Sequence, residues 1–133
     1  MYSYDEEQNN GFKNSLIEFS NDIKNAKGII VSVNEHNSNP SAYFKNVLDW
    51  LSRVDKNFLT DTKIFLMSTS NGKRGGISAQ EVIEKLLPRF GGEIVATFAL
   101  PSFSENFDEE KGITNSDLAK KHLDALKAFK AKL

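Results

Sequence analysis

The chain has 133 residues, about one domain's worth and enough to bury a core. Its 17 Lys and Arg nearly balance 18 Asp and Glu, so bulk charge points to neither nucleic acid nor an anionic membrane as partner. The absence of cysteine excludes disulfides, thiolate metal sites and a cysteine nucleophile. No apolar stretch approaches the ~20 residues that cross a bilayer and the polar, acidic start is unlike a signal peptide, so the chain reads as soluble and cytoplasmic.

The opening MYSYDEEQNNG is polar and aperiodic and reads as a surface segment. From Phe12, the spacing of Phe12, Leu16, Phe19 and Ile23 predicts an amphipathic helix ending near Ala26, closed by Gly28. The unbroken apolar run Ile29 to Val33 predicts a strand covered on both faces. A polar loop, Asn34 to Asn39, follows. Asn39 is placed to cap the next helix and Pro40 to fill its first turn; the helix runs to about Arg53 on the stripe Phe44, Val47, Leu48 and Leu51, with Asp49 and Arg53 spaced to pair.

Residues 54–61 read as a polar connector. A second strand, Lys63 to Ser68, runs into Thr69-Ser70-Asn71-Gly72-Lys73-Arg74-Gly75-Gly76. Ser78 and Glu81 form a capping-box pattern for a helix with Val82, Ile83, Leu86, Leu87 and Phe90 inward, and Pro88 predicts a kink or early stop in its last turn. A third strand, Ile94 to Leu100, ends at Pro101 and opens a long acidic loop. Thr114 or Ser116 starts a last helix with the stripe Ala119, Leu123, Leu126, Phe129 and Leu133. Three strands each followed by a helix predict an α/β fold, a parallel sheet with right-handed crossovers and helices on both faces.

In such sheets ligands collect beyond the carboxyl ends of the strands, which makes the loops 34–39 and 68–76 the candidate site. The first either meets a ligand or, being rich in Asn, satisfies its own backbone. The second matches neither the P-loop nor the dinucleotide fingerprint. Lys73 and Arg74 offer it charge, or are simply solvated. With two histidines and no carboxylates clustered at ligand spacing, no metal site is expected. His122 reads as a packed or surface residue, and the acidic run 105–110 as a solvated loop. A phosphoacceptor receiver domain would need an aspartate at the end of a central strand, and the strand here ends Val33-Asn34-Glu35.

Taken together, these loops resemble those of the NAD(P)H-dependent FMN reductase family of flavodoxin-like proteins. Lys45-Asn46-Val47-Leu48-Asp49-Trp50 matches the family's K-N-x-x-D-W in full. Glu35 and Asn37 stand where its P-E-Y-N-G-S loop has them, while Asn34, His36 and Ser38 replace proline, tyrosine and glycine. Ser68 to Gly76 looks like its S-x-S-x-G-x-x-G-G flavin loop, and Asn106-Phe107-Asp108 with Gly112-Ile113-Thr114 resembles the segment before its last helix.

The resemblance implies an oxidoreductase that passes a hydride from NAD(P)H through N5 of bound FMN to a quinone, free flavin or similar small-molecule acceptor. It implies no catalytic side chain. The cofactor-binding residues it implies are Asn34, Glu35, His36, Asn37, Ser68, Thr69, Ser70, Gly72, Arg74 and Gly75, with the substrate pocket completed in a homo-oligomer, a dimer or tetramer. Lys45 and Asn46 would orient the first loop, and Asp49 and Trp50 would be structural. The family's opening strand and phosphate loop have no counterpart before Phe12, so the strands correspond to 3, 4 and 5 of the sheet order 2-1-3-4-5. A single N-terminally truncated domain is expected, with a bare edge on strand 29–33. The alternative is a non-catalytic domain of this kind that acts only as an interaction module through that edge.

Overall fold

The computed structural model describes residues 1–133. The polar opening is not irregular: Ser3 caps a short helix, α1 (Tyr4–Asn10), by accepting the Glu6 N–H, and Gly11 ends it. Then follow α2 (Asn14–Asn25), β1 (Gly28–Val33), a two-residue-stranded hairpin β2 (Glu35–His36) and β3 (Asn39–Pro40), and α3 (Ala42–Val54). β4 (Lys63–Thr69) leads to α4 (Ile77–Leu86), and a 3-10 turn over Leu87–Phe90 places Pro88 where the α-helix stops, as its missing N–H requires. β5 (Glu93–Leu100), the short α5 (Phe103–Asn106), the hairpin β6 (Phe107–Asp108) and β7 (Gly112–Ile113), and α6 (Ser116–Lys130) complete the chain.

The sheet is parallel in the order β1-β4-β5. Ile64, Phe65 and Leu66 of the central β4 are fully buried, and their alternation divides the core. Ile64 and Leu66 join Val33, Leu48, Leu51, Ala79 and Ile83 beneath α2, α3 and α4. Phe65 joins Phe98, Leu100 and Phe129 beneath α6. The three-layer α/β arrangement is the expected one. On β1, an edge strand here, Ile30 is 53% exposed.

Several local expectations are corrected. The cap of α3 is Ser41, whose hydroxyl accepts the Phe44 N–H, not Asn39, because Asn39 and Pro40 are drawn into β3. Gly76, left-handed at φ 77°, leads into α4 without a side-chain cap, so Ser78 and Glu81 lie inside the helix and form no capping box; Val82 is exposed. The connector 54–61 carries Phe58 and Leu59, both buried in the core. On α6, capped by Asn115, Leu123 and Leu133 are exposed while Leu118, Ala125 and Leu126 pack inward. His122 packs between Phe65 and Phe98, with ring centroids 5.8 and 5.2 Å away.

The K-N-x-x-D-W helix is fastened to the chain's own beginning. Asp49 pairs with Lys45, not with Arg53. Arg53 instead forks onto Glu7 at 2.9 and 3.2 Å, and Tyr2 donates its hydroxyl to the same carboxylate at 2.7 Å. Asn46 does not reach toward the loop. Its Oδ1 accepts the Tyr2 N–H at 2.6 Å. Trp50 lies edge-on between Tyr2 and Phe12, at 5.0 and 6.3 Å.

Arg53, then Tyr2, hold the Glu7 carboxyl below its ordinary value by hydrogen bonding to its charged form. The contact therefore stabilises the fold above the unfolded Glu value of about 4.3 and is lost as pH falls through the lowered folded value. Trp50 is the sole tryptophan and reports on it. Its emission should move to longer wavelength only below about pH 4.3 in the native chain, and already at pH 7 in Arg53→Met; an unchanged spectrum in that variant would show that α1 is held without the ion pair.

Candidate functional site

The register of the sheet assembles the site. Val33 pairs with Ser68 and Thr69 with Leu100, so the three strands end nearly level and their loops leave side by side, about 4.8 Å apart. The ten candidate residues, Asn34, Glu35, His36, Asn37, Ser68, Thr69, Ser70, Gly72, Arg74 and Gly75, all lie in the segments that leave this carboxyl edge.

The first loop is a tight hairpin. Asn37 and Ser38 have φ of 52° and 63°, and positive φ at both central residues is what the two-residue type I′ turn demands and what Asn tolerates. Asn39 Nδ2 donates to Asn37 O at 3.1 Å. The Asn34 side-chain amide lies 3.3 Å from His36 Nε2, within hydrogen-bonding distance. Glu35 turns away from the open edge. Its Oε2 accepts the Ala79 N–H at 3.1 Å, supplying from a distant loop the carboxylate cap that Gly76 cannot give α4.

The second loop is divided between frame and opening. Ser68 is buried; its hydroxyl lies 2.8 Å from Gly75 O and 2.8 Å from the Gln80 side-chain amide. Thr69 Oγ1 donates to Leu100 O at 2.8 Å. Gly75, at φ 61°, presses its Cα against the Leu100–Pro101 backbone so closely that a Cβ would stand 2.7 Å from Leu100 C and O. Gly75 N donates to Gly72 O, which closes a turn centred on Lys73 and Arg74. The backbone N–H groups of Asn71, Lys73 and Arg74 donate to nothing in the protein. Asn71, Gly72, Lys73 and Arg74 are exposed.

A third segment, residues 102–104, is bonded to the glycine loop, although none of its residues was among the cofactor-binding candidates. Ser102 N donates to Gly72 O, Phe103 N to Ser70 O and Ser104 N to Asn71 Oδ1, at 2.9 to 3.0 Å. Ser102 is left-handed at φ 47°, and Phe103 stacks on Phe107 at 4.9 Å. The signal in the sequence was Pro101, which stops β5 and lets the chain turn back over the glycine loop.

Parallel strands ending in loops that expose free amides are built to hold a planar or anionic ligand at the carboxyl edge. Solved structures share this fold. FerB, a flavoenzyme NAD(P)H:(acceptor) oxidoreductase from Paracoccus denitrificans, superposes with a TM-score of 0.76 at 20% identity over 96% of this chain and 71% of that one. The apo form of the NADH:FMN oxidoreductase EmoB gives 0.76 at 20% identity over 91% and 61%. The quinone reductase of Escherichia coli K12 is 25% identical over 119 residues, 82% of this chain and 63% of that protein; the chain thus spans less than two thirds of that curated relative's length. The family model for NADPH-dependent FMN reductases matches residues 1–105. The chain belongs to the NADPH-dependent FMN reductase family, and its fold is flavodoxin-like, with three parallel strands in the sheet. No helix is long and apolar enough to cross a membrane.

The frame and the opening respond differently to a methyl group. Gly75→Ala should lower stability by about 1–3 kcal/mol, seen as a lower urea midpoint at unchanged slope. At Gly72 an added Cβ meets only Ser70 Oγ, at 3.5 Å, so Gly72→Ala should change stability by less than about 1 kcal/mol. Equal losses at both positions would contradict the division.

Proposed function

We propose that this chain is a flavin reductase unit that holds FMN against the loops 34–37 and 68–75, takes a hydride from NAD(P)H, and delivers it to a quinone or similar small-molecule acceptor. The observation that carries the reading is the set of free amides on Asn71, Lys73 and Arg74, in a loop whose glycines let the backbone come close. The pyrimidine edge of an isoalloxazine ring offers carbonyl oxygens that such donors fit. The hydride chemistry belongs to the flavin when bound. The protein's part is position and charge.

In this reading Asn34, His36 and Asn37 cover the ring from the first loop. Ser70 and Gly72 form the edge contact, and Arg74 favours the negatively charged reduced ring. Glu35, Ser68, Thr69 and Gly75 belong to the cofactor site by holding its two loops in place. Exposed Tyr43 and Val47 on α3 and Phe19 on α2 support a homo-oligomer, since clustered apolar exposure marks contact surfaces, and a second copy would complete the acceptor pocket of a cytoplasmic dimer or tetramer. A second reading, a non-catalytic interaction module, is favoured by the unpaired edge of β1 beside exposed Ile30.

Titrating FMN into the 133-residue chain separates the two. Saturable quenching of flavin fluorescence is expected, and Arg74→Gln should weaken it about fivefold, the effect of one partly exposed charge. Absence of saturable quenching would sink the reductase reading for this chain and leave the interaction module.

A further inference from the structure

Asparagine followed by glycine occurs twice in the chain, as Asn10-Gly11 and Asn71-Gly72. A glycine in that place leaves its backbone nitrogen unshielded by a Cβ, so the nitrogen can approach the side-chain carbonyl carbon of the asparagine before it. The fold treats the two pairs differently. Asn10 is the last residue of α1, and the Gly11 N–H donates to Glu7 O at 2.9 Å, so its nitrogen is engaged in closing the helix. Asn71 and Gly72 lie outside helix and strand, both exposed, between β4 and α4.

The surroundings of Asn71 prepare its side chain for attack. Its Oδ1 accepts the Ser104 N–H at 3.0 Å, which polarises the carbonyl and supplies a fixed donor for the oxyanion that forms on addition. The Gly72 N–H donates to Ser70 Oγ at 3.2 Å and to no main-chain carbonyl, a contact that a rotating hydroxyl releases without breaking a helix or a strand. A Cβ built on Gly72 would meet that same Oγ, at 3.5 Å, and no other atom outside its chain neighbours within 4 Å. The approach to the nitrogen is open.

We propose that Asn71 is a self-modification site, at which the glycine loop converts itself irreversibly to an acidic form. The Gly72 nitrogen loses its proton to hydroxide and bonds to Asn71 Cγ; the Cγ–Nδ2 bond breaks, the leaving nitrogen takes a proton from water, and ammonia departs from a five-membered succinimide. Water then opens the ring at either carbonyl, giving aspartate or isoaspartate. Water is the sole co-reactant and no oxidation state changes. In the isoaspartate product the carbonyl held by Ser104 becomes part of the main chain, the loop gains a backbone carbon, and a carboxylate appears beside Lys73 and Arg74, neither of which has an ion-pair partner. The free amides of Lys73 and Arg74 are displaced, and the new charge opposes any anionic or carbonyl-edged ligand there. A weakened hold on FMN follows from the reductase reading; the modification itself does not depend on it.

Incubation of the native 133-residue chain at mildly alkaline pH, followed by tryptic digestion and mass spectrometry, reads the two pairs separately, because fragment 1–13 carries Asn10 and fragment 64–73 carries Asn71. The mass gain of amide-to-acid conversion should accumulate in fragment 64–73 about tenfold faster than in fragment 1–13. Gly72→Ala, whose added methyl the loop accommodates, should slow it about tenfold by crowding the attacking nitrogen. In guanidinium chloride, where α1 is lost, the two native pairs should react at similar rates.

No conversion of fragment 64–73 in the folded chain, equal rates in the two fragments before unfolding, a rate difference that survives unfolding, or an unslowed Gly72→Ala would each overturn the proposal. The FMN titration is run on fresh and on converted chain, and weaker quenching after conversion is expected. Conversion that leaves quenching unchanged overturns the effect on the loop assigned to it. Conversion in a chain that never quenches FMN upholds the modification and sinks the reductase reading.

Discussion

The parallel pairing of β4 between β1 and β5 is the constraint on which the rest of the molecule depends. Its Ile64, Phe65 and Leu66 are fully buried, so β4 must be covered on both faces, and only helices above and below can do that for a parallel sheet. The register then carries the order of the core to the strand ends. A register shift between Ile64 and Phe65 sets Ala96 rather than Val95 opposite Phe65, and both Val95 and Ala96 pack on the α6 side. The extra residue brings Phe98 and Leu100 inward under α6 and delivers Leu100 beside Thr69 and Gly75. The bulge at Val95 thus helps decide what the glycine loop rests on.

At the carboxyl edge, side chains build the frame and the backbone forms the opening. Ser68, Thr69 and Glu35 carry polar groups that sequence inspection naturally assigns to a ligand. Each is spent inside the protein: on Gly75 O and Gln80, on Leu100 O, and on the Ala79 N–H. What faces outward is a turn of unpaired N–H groups. Such an opening suits a planar ligand with acceptor atoms along its edge. Donors fixed by glycine geometry need no reorganisation when a ring arrives, and their position is guarded by contacts a mutation on the open side does not touch.

The fold was legible because its signals are local. Unbroken apolar runs marked all three strands to within a residue or so, and apolar spacing marked four of the helices. Errors arose wherever a neighbouring element overrode a local pattern. Asn39 and Pro40 make a good helix start, but the turn at Asn37 and Ser38 folds them back against Glu35 and His36, and the cap passes to Ser41. Ser78 and Glu81 fit a capping box, but Gly76 enters the helix first. Arg53 is four residues from Asp49, yet a carboxylate 46 residues away wins it, and no spacing rule sees that partner. Phe58 and Leu59 were lost in a polar stretch because two adjacent apolar residues have no period. For the candidate site, pattern named two loops that the sheet brings together at its carboxyl edge. It could not say which of their atoms were free, since that depends on α4 and on residues 100–104.

In this chain the K-N-x-x-D-W helix is held from the far end of the sequence. Within K-N-x-x-D-W, Lys45 and Asp49 satisfy each other on the surface, while Asn46 and Trp50, joined by Arg53 a turn later, grip Tyr2, Phe12 and Glu7. None of these side chains contacts the glycine loop. They bear on the site mechanically, because α3 begins at Ser41 directly after β3, and β3 is the second strand of the hairpin that holds His36. Fastening one end of α3 to the N-terminal segment while Leu48 and Leu51 hold its inner face in the core leaves the helix one orientation. The hairpin inherits that orientation, and Glu35 passes it on to the first turn of α4. Residues 2 to 12 and the first candidate loop are therefore parts of one rigid support.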